Sequence, residues 1–273
     1  MRGLVFAGLL LGSVISGAPG RAEPAPTDPQ LSIAATPEVI ARRQEIDAYA
    51  LGLLAYEWGY PLVLVERVIR IYTAPDASCG PTSYYVPLNR IGWAREPATA
   101  DSREIETPNN DTTYLGAVLK LDEPFVLSVP DTHDRYYVVD VFDMWHELEH
   151  YVGRRTTGTK AGLFVIVPPN WQGAMLPGAT RLDVTTDKVF LWGRLRVPPG
   201  DDMAAIHNLQ DEFRVVPLSA YGKPDSDAAA TLPALPAIAG NPLGFFEQLG
   251  AVLRANAIKP ATRRCSGNSR ASG

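Results

Sequence analysis

The chain lacks any excess of positive charge, any cysteine framework and any nucleophile motif, and each shortage removes a class of protein. Its 25 basic residues are outnumbered by 30 acidic ones, and no Lys/Arg cluster with interleaved aromatics offsets the balance, which argues against nucleic-acid binding. The two cysteines, Cys79 and Cys265, cannot staple a fold of this size, although an oxidising compartment permits one bridge between them. No G-x-S-x-G elbow occurs, no Ser-His-Asp set can be defended from spacing, and the Gly/Thr-rich run at Gly153 has the wrong spacing for a phosphate loop.

What is present begins with an export signal. Met1 and Arg2 precede an apolar run from Leu4 to Ile15, shorter than the ~20 residues a membrane helix needs, and Gly20-Arg21-Ala22 resembles a cleavage site. Residues 1–22 are therefore expected to be removed, releasing a periplasmic or secreted protein with no membrane span. Losing Arg2 and Arg21 leaves 23 basic against 30 acidic residues, a formal charge of −7.

Residues 23–35 read as a flexible, Pro/Ala-rich lead. Thr36-Pro37-Glu38 reads as a helix start, and the spacing of Ile46, Tyr49, Leu53 and Tyr56 carries the helix to about Trp58. Gly59 and Pro61 are expected to stop it, with a second helix from Leu62 to about Tyr72 and Glu57 on a solvated edge. From Ser83 the period becomes two. The segments 83–88, 114–121, 125–129, 135–142, 163–167, 181–184 and 189–197 read as short strands, separated by turns rather than helices. The expected fold is mainly β, an antiparallel sandwich or jelly roll with an N-terminal helical pair and short C-terminal helices at 201–213 and 245–255. Domain limits follow at 36–221, with an Ala/Pro linker at 222–242 and a further segment at 243–260.

The runs PNNDTTY (Pro108 to Tyr114), LSVPDTHDRYYVVDVFD (Leu127 to Asp143), GRRTTGT (Gly153 to Thr159) and WGRLRV (Trp192 to Val197) resemble the bacterial family called domain of unknown function 1254 (DUF 1254). EWGYP at Glu57 and LQDEFRVVPLS at Leu209 extend the resemblance from about Tyr49 to Lys259. It implies a β-rich, jelly-roll-like fold in an exported protein, a second domain called DUF 1214, and no established reaction. That second domain is expected to be missing. The run ATRRCSGNSRASG, residues 261–273, turns abruptly Arg/Ser/Gly-rich and reads as out-of-frame translation, which would leave Cys79 as a lone cysteine.

Three groups of residues carry chemistry. The HELEH run from His146 to His150 matches the zinc signature H-E-x-x-H, in which two His ligands sit one helical turn apart and Glu147 activates water. Its third-ligand position is Thr156, a poor zinc ligand, and the surroundings are β, so surface histidines are the preferred reading and zinc the alternative. The second group is Asn109, Asn110, Asp111, Thr112 and Tyr114. It serves either as a turn capped by its own side chains or as a polar site in which Asp111 is an acid/base and Tyr114 stacks or donates a proton. The third is Arg135 with Arg155 and Thr156, suited to gripping a carboxylate or phosphate. Asp140 and Asp143, three apart on a strand, are expected on opposite faces, one facing inward and paired with Arg.

The functional expectation is an exported domain that binds a small polar or carbohydrate-like molecule, with processing of that molecule left open. Asp111, Tyr114 and Asp143 are its catalytic candidates; Asn109, Asn110, Thr112, Arg135, Arg155 and Thr156 are its ligand contacts. The alternatives are a zinc hydrolase using His146 and His150, and an inactive remnant of a two-domain protein. Mass spectrometry of the exported protein should find an N-terminus at Glu23; an intact Met1 in the exported fraction would contradict the signal-peptide reading.

Overall fold

The computed structural model describes residues 36–74, 84–103, 106–224 and 232–256. The expected signal peptide, flexible lead, out-of-frame tail and both cysteines lie outside the described residues. The chain divides into a unit ending at Leu51 and a unit beginning at Gly52. In the first, helix α1 (Pro37–Thr73) begins where Thr36-Pro37 predicts, and the Thr36 hydroxyl accepts from the Val39 amide at 3.4 Å.

Where the sequence suggests two helices broken at Gly59 and Pro61, α1 is one continuous helix with Pro61 inside it. An interior proline removes one backbone hydrogen bond and crowds the preceding turn, ordinarily at a cost of ~3 kcal/mol or more. Burial opposes that cost. Gly59, Leu62, Val63, Val65, Glu66, Ile69 and Tyr72 form a buried stripe at three- and four-residue spacing. Gly59 is needed for closeness, because a Cβ there would lie 2.5 Å from both methyls of Leu249 in α3 (Gly244–Ala255). By length and composition α1 suffices to cross a membrane, and 22 % of its most apolar window is buried inside the protein.

Nine strands are found among the described residues. One sheet has the order β1 (Ile91–Trp93), β2 (Thr112–Lys120), β8 (Lys188–Arg196), β4 (Tyr137–Phe142), β5 (Leu148–Gly153). The other runs β7 (Thr180–Asp183), β6 (Gly162–Val167), β3 (Phe125–Val129), β9 (Arg214–Pro217). Helix α2 (Met203–Glu212) precedes β9 and is capped by Asp202, whose side chain accepts from the Ala204 amide. Leu115, Leu119, Val139 and Leu191 of the first sheet share one core with Leu127, Phe164, Ile166 and Val215 of the second.

Two expectations are corrected. Pairing is antiparallel except at one edge, where β7 runs parallel to β6. Residues 84–88 form no strand: the Val86 amide donates to the Tyr72 carbonyl at 2.8 Å, and Tyr84 and Val86 pack with Tyr72 and Tyr114 instead of joining a ladder. Strands β1, β5 and β9 lie outside the segments read from the sequence, because they are short or polar and become strands only through the edges they meet.

The second half of α1 is tied to the sheet by charge as well as by its apolar stripe. Glu66, 2 % exposed, accepts from the Lys188 ammonium at 2.6 Å and from Arg70 Nε and Nη2 at 2.9 and 2.7 Å. Burial pushes the Lys188 pKa down and the neighbouring Glu66 carboxylate opposes that shift. Glu66→Gln should therefore cost about 3–5 kcal/mol in denaturant unfolding, because it leaves the buried Lys188 ammonium without its carboxylate and takes the same partner from the part-buried Arg70. Breaking the exposed Lys120–Asp122 pair should cost under about 1 kcal/mol, and equal effects would deny the triad its role.

Candidate functional site

Strand alternation divides the five-stranded sheet into a core face and an outer face. Leu115, Ala117, Leu119, Val139, Val141, Val152, Leu191 and Leu195 point into the shared core. Their neighbours form a grid on the outer face, fixed by register. Across β2, β8, β4 and β5 the rows are Tyr114, Arg194, Val138, Gly153; then Gly116, Trp192, Asp140, Tyr151; then Val118, Phe190, Phe142, Leu148. The stripe of α1 covers the Val118 and Phe190 corner. The β4–β5 half stays open as a hollow of about 380 Å³ lined by Tyr136, Val138, Asp140, Leu148, Tyr151, Arg155, Thr156 and Arg194.

The hollow is polar where the covered half is apolar. Asp140 Oδ2 lies 3.6 Å from Arg194 Nη1, and these side chains are 16 % and 35 % exposed. Burial pushes the Asp140 carboxyl above its ordinary range and the Arg194 cation opposes the shift. The Arg194 guanidinium also lies 5.7 Å from the centre of the Tyr114 ring, whose hydroxyl accepts from the Asn109 amide at 2.7 Å. On the rim, the Arg155 guanidinium lies over Tyr136 at 5.7 Å; among the described residues it has no carboxylate partner. The Thr156 hydroxyl donates to the Tyr151 carbonyl at 2.9 Å and closes the turn that carries Arg155. Gly153 lets that turn approach β4, since a Cβ there would meet the Tyr137 carbonyl oxygen at 2.5 Å.

Of the residues singled out from the sequence, the structure brings Arg155 and Thr156 to this hollow and places Tyr114 beneath Arg194. Asn109, Asn110 and Asp111 sit exposed in the preceding turn, where the Asp111 carbonyl accepts from Val197 at 2.7 Å. The Thr112 hydroxyl is buried. Arg135 is engaged elsewhere, bonding the Arg196 carbonyl at 2.8 Å and the Asp201 carboxylate at 2.6 Å. Asp143 is wholly buried and accepts at Oδ1 from the Trp145 and Glu147 amides, both at 2.8 Å, so its carboxylate organises a turn. The expected inward, Arg-paired aspartate is thus two residues: Asp143 faces inward, while Asp140 pairs with Arg194.

The zinc geometry is corrected. HELEH forms a turn entering β5 rather than a helix, so His146 and His150 are not one helical turn apart. His146, at φ 62°, stacks on Phe142 at 4.9 Å, and a register shift follows Val141. The His150 ring meets the Asp183 carbonyl oxygen at 2.6 Å. Among the described residues no three His, Cys, Asp or Glu side chains converge to hold a metal.

Arg194, Tyr136 and Tyr151 are site residues that spacing alone did not single out, and Asp140 enters there only as one of a pair with Asp143. Their signal is the alternation in RYYVVD and WGRLRV, but only the β4–β8 and β4–β5 registers bring them together.

Residues 88–217 match the family described as "Protein of unknown function (DUF1254)". A crystal structure of the VPA0106 protein from Vibrio parahaemolyticus is 25% identical with TM-score 0.58, covering 74% of this chain and 46% of that one. The chain thus spans about half the length of that structure. An uncharacterized protein from Burkholderia cenocepacia is 10% identical with TM-score 0.33, covering 82% of this chain and 50% of the other. No curated protein matches the chain.

Removing the cation that opposes burial should raise the Asp140 pKa further. In a carbon-13 NMR titration of Arg194→Met, the Asp140 carboxyl should titrate at higher pH than in the parent; an unchanged titration would show the pair to be uncoupled.

Proposed function

We propose that this DUF 1254 segment belongs to an exported binding domain that holds a small polar, acidic molecule on the outer face of its five-stranded sheet. The observation that carries the reading is the hollow itself. It joins a shielded Asp140–Arg194 pair to Arg155 on the rim, so its charged side chains sum to one positive charge within an acidic protein. A carboxylate complements that excess, and the Tyr136 and Tyr151 rings suit the apolar face of a sugar or a comparable ring.

Roles follow from position. Arg155 and Arg194 bind the acid, Thr156 and Gly153 hold the rim, and Tyr114 supports Arg194 from below. Any proton transfer falls to Asp140, because burial raises its pKa towards the range in which a carboxyl both gives and takes a proton. Asn109 acts through its amide on Tyr114 rather than by touching the ligand. Export is supported by the apolar run from Leu4 to Ile15 and the small residues after it. Two sheets sharing one core support the finer description of a sandwich of jelly-roll kind.

A thermal-shift panel of neutral sugars, sugar acids and small organic acids tests this. A sugar acid at about 100 times its Kd should raise Tm by on the order of 5–10 °C, and its neutral sugar should do less. Arg155→Gln should weaken the acid about tenfold or more, while Arg181→Gln on β7 should leave it unchanged. A panel without response, or equal loss in both variants, removes the hollow as the site.

A further inference from the structure

The outer face holds a second cavity beside the hollow. A crevice of about 270 Å³ runs between α1 and β8, walled by Tyr60, Leu64 and Val68 on the helix and by Phe190 and Trp192 on the strand, with His146 also in its lining. Its walls are otherwise apolar. Tyr60 and Leu64 are each 43 % exposed, so these walls meet water when the crevice is empty. The two cavities adjoin by register: Trp192 lies directly opposite Asp140 and two residues before Arg194 on the same face of β8.

We infer that the ligand is an amphiphilic carboxylic acid, with its carboxylate held by Arg155 and Arg194 in the hollow and an apolar arm laid over Trp192 into the crevice. This rests on the hollow being the binding site. Complementarity carries the assignment. A purely polar ligand would leave the Trp192, Tyr60 and Leu64 surfaces wet, and a purely apolar one would leave the Arg155 charge unanswered at its edge. Both demands are met by one molecule whose character changes along its length as β8 changes from Arg194 to Phe190. Four residues of strand separate those positions, roughly 13 Å, which is the reach of an extended chain of about ten carbons.

Calorimetry with butyrate, hexanoate, octanoate and decanoate tests the arm, with galacturonate as an acid that has none. Affinity should rise about fourfold per added methylene until the crevice is filled. Leu64→Asp, on a half-exposed position of the crevice wall, should abolish the dependence on chain length and leave galacturonate binding intact. Leu53→Asp, an exposed α1 position outside the crevice, should change neither. Arg155→Gln should weaken every acid by a similar factor. Equal affinities for butyrate and decanoate, with galacturonate still bound, would overturn the arm and spare the hollow. A chain-length dependence that survives Leu64→Asp would place the arm elsewhere and overturn it too. Failure of every acid to bind would remove the hollow reading on which the inference rests.

Discussion

A carboxylate buried with three charged hydrogen bonds holds the second half of α1 against β8. Glu66 satisfies Arg70 on its own helix and Lys188 at the start of β8, so helix and strand are joined where Glu66 and Lys188 have almost no water to turn to. Such a triad contributes little net energy but specifies one seating, since any slip of the helix would strand a buried charge. The seating decides which half of the outer sheet face is covered.

The consequences follow strand by strand. Over Val118 and Phe190 the sheet is roofed by Leu62, Val63, Val65 and Ile69, and its outer side chains are apolar to match. Beyond Trp192 the roof ends and the same strands present Arg194, Asp140 and Tyr151. The boundary between dry and wet runs along β8, which explains how one strand can carry apolar packing at one end and a half-shielded ion pair at the other. Asp140 sits at that boundary. It is buried enough for its pKa to rise and near enough to Arg194 to keep the shift in check.

Several tight approaches maintain the arrangement. Gly59 admits Leu249, Gly153 admits β4, and Asp143 gathers the amides of Trp145 and Glu147 so that β5 can begin immediately after a turn. That turn removes His146 and His150 from a helical face. The HELEH match was chemically plausible because the zinc signature assumes i, i+4 neighbours on a helix, and a strand alternates its side chains instead. With the helix gone, the spacing no longer carries the chemistry.

Much of this architecture could be read from residues alone. Alternating apolar and polar positions in RYYVVDVF and KVFLWGRLR specify strands with two unlike faces, Thr36-Pro37 specifies a helix start, and GRRTTGT specifies a turn, because these signals are local. The family resemblance was equally legible and holds over residues 88–217. Continuity through Pro61 was not legible, since it depends on a buried stripe that outweighs a local breaker. Nor was the parallel β6–β7 edge, which only pairing defines. The site was half visible: Arg155 and Thr156 stood out as polar residues in a turn and Asp140 as one of two aspartates of which one would pair with an Arg, while Arg194 looked like an ordinary strand residue. Sequence by itself determined that these strands would have a polar face. Tertiary structure decided that Asp140 would meet Arg194 beside Arg155, and that α1 would leave them uncovered, because register and helix seating are long-range choices that no local pattern encodes.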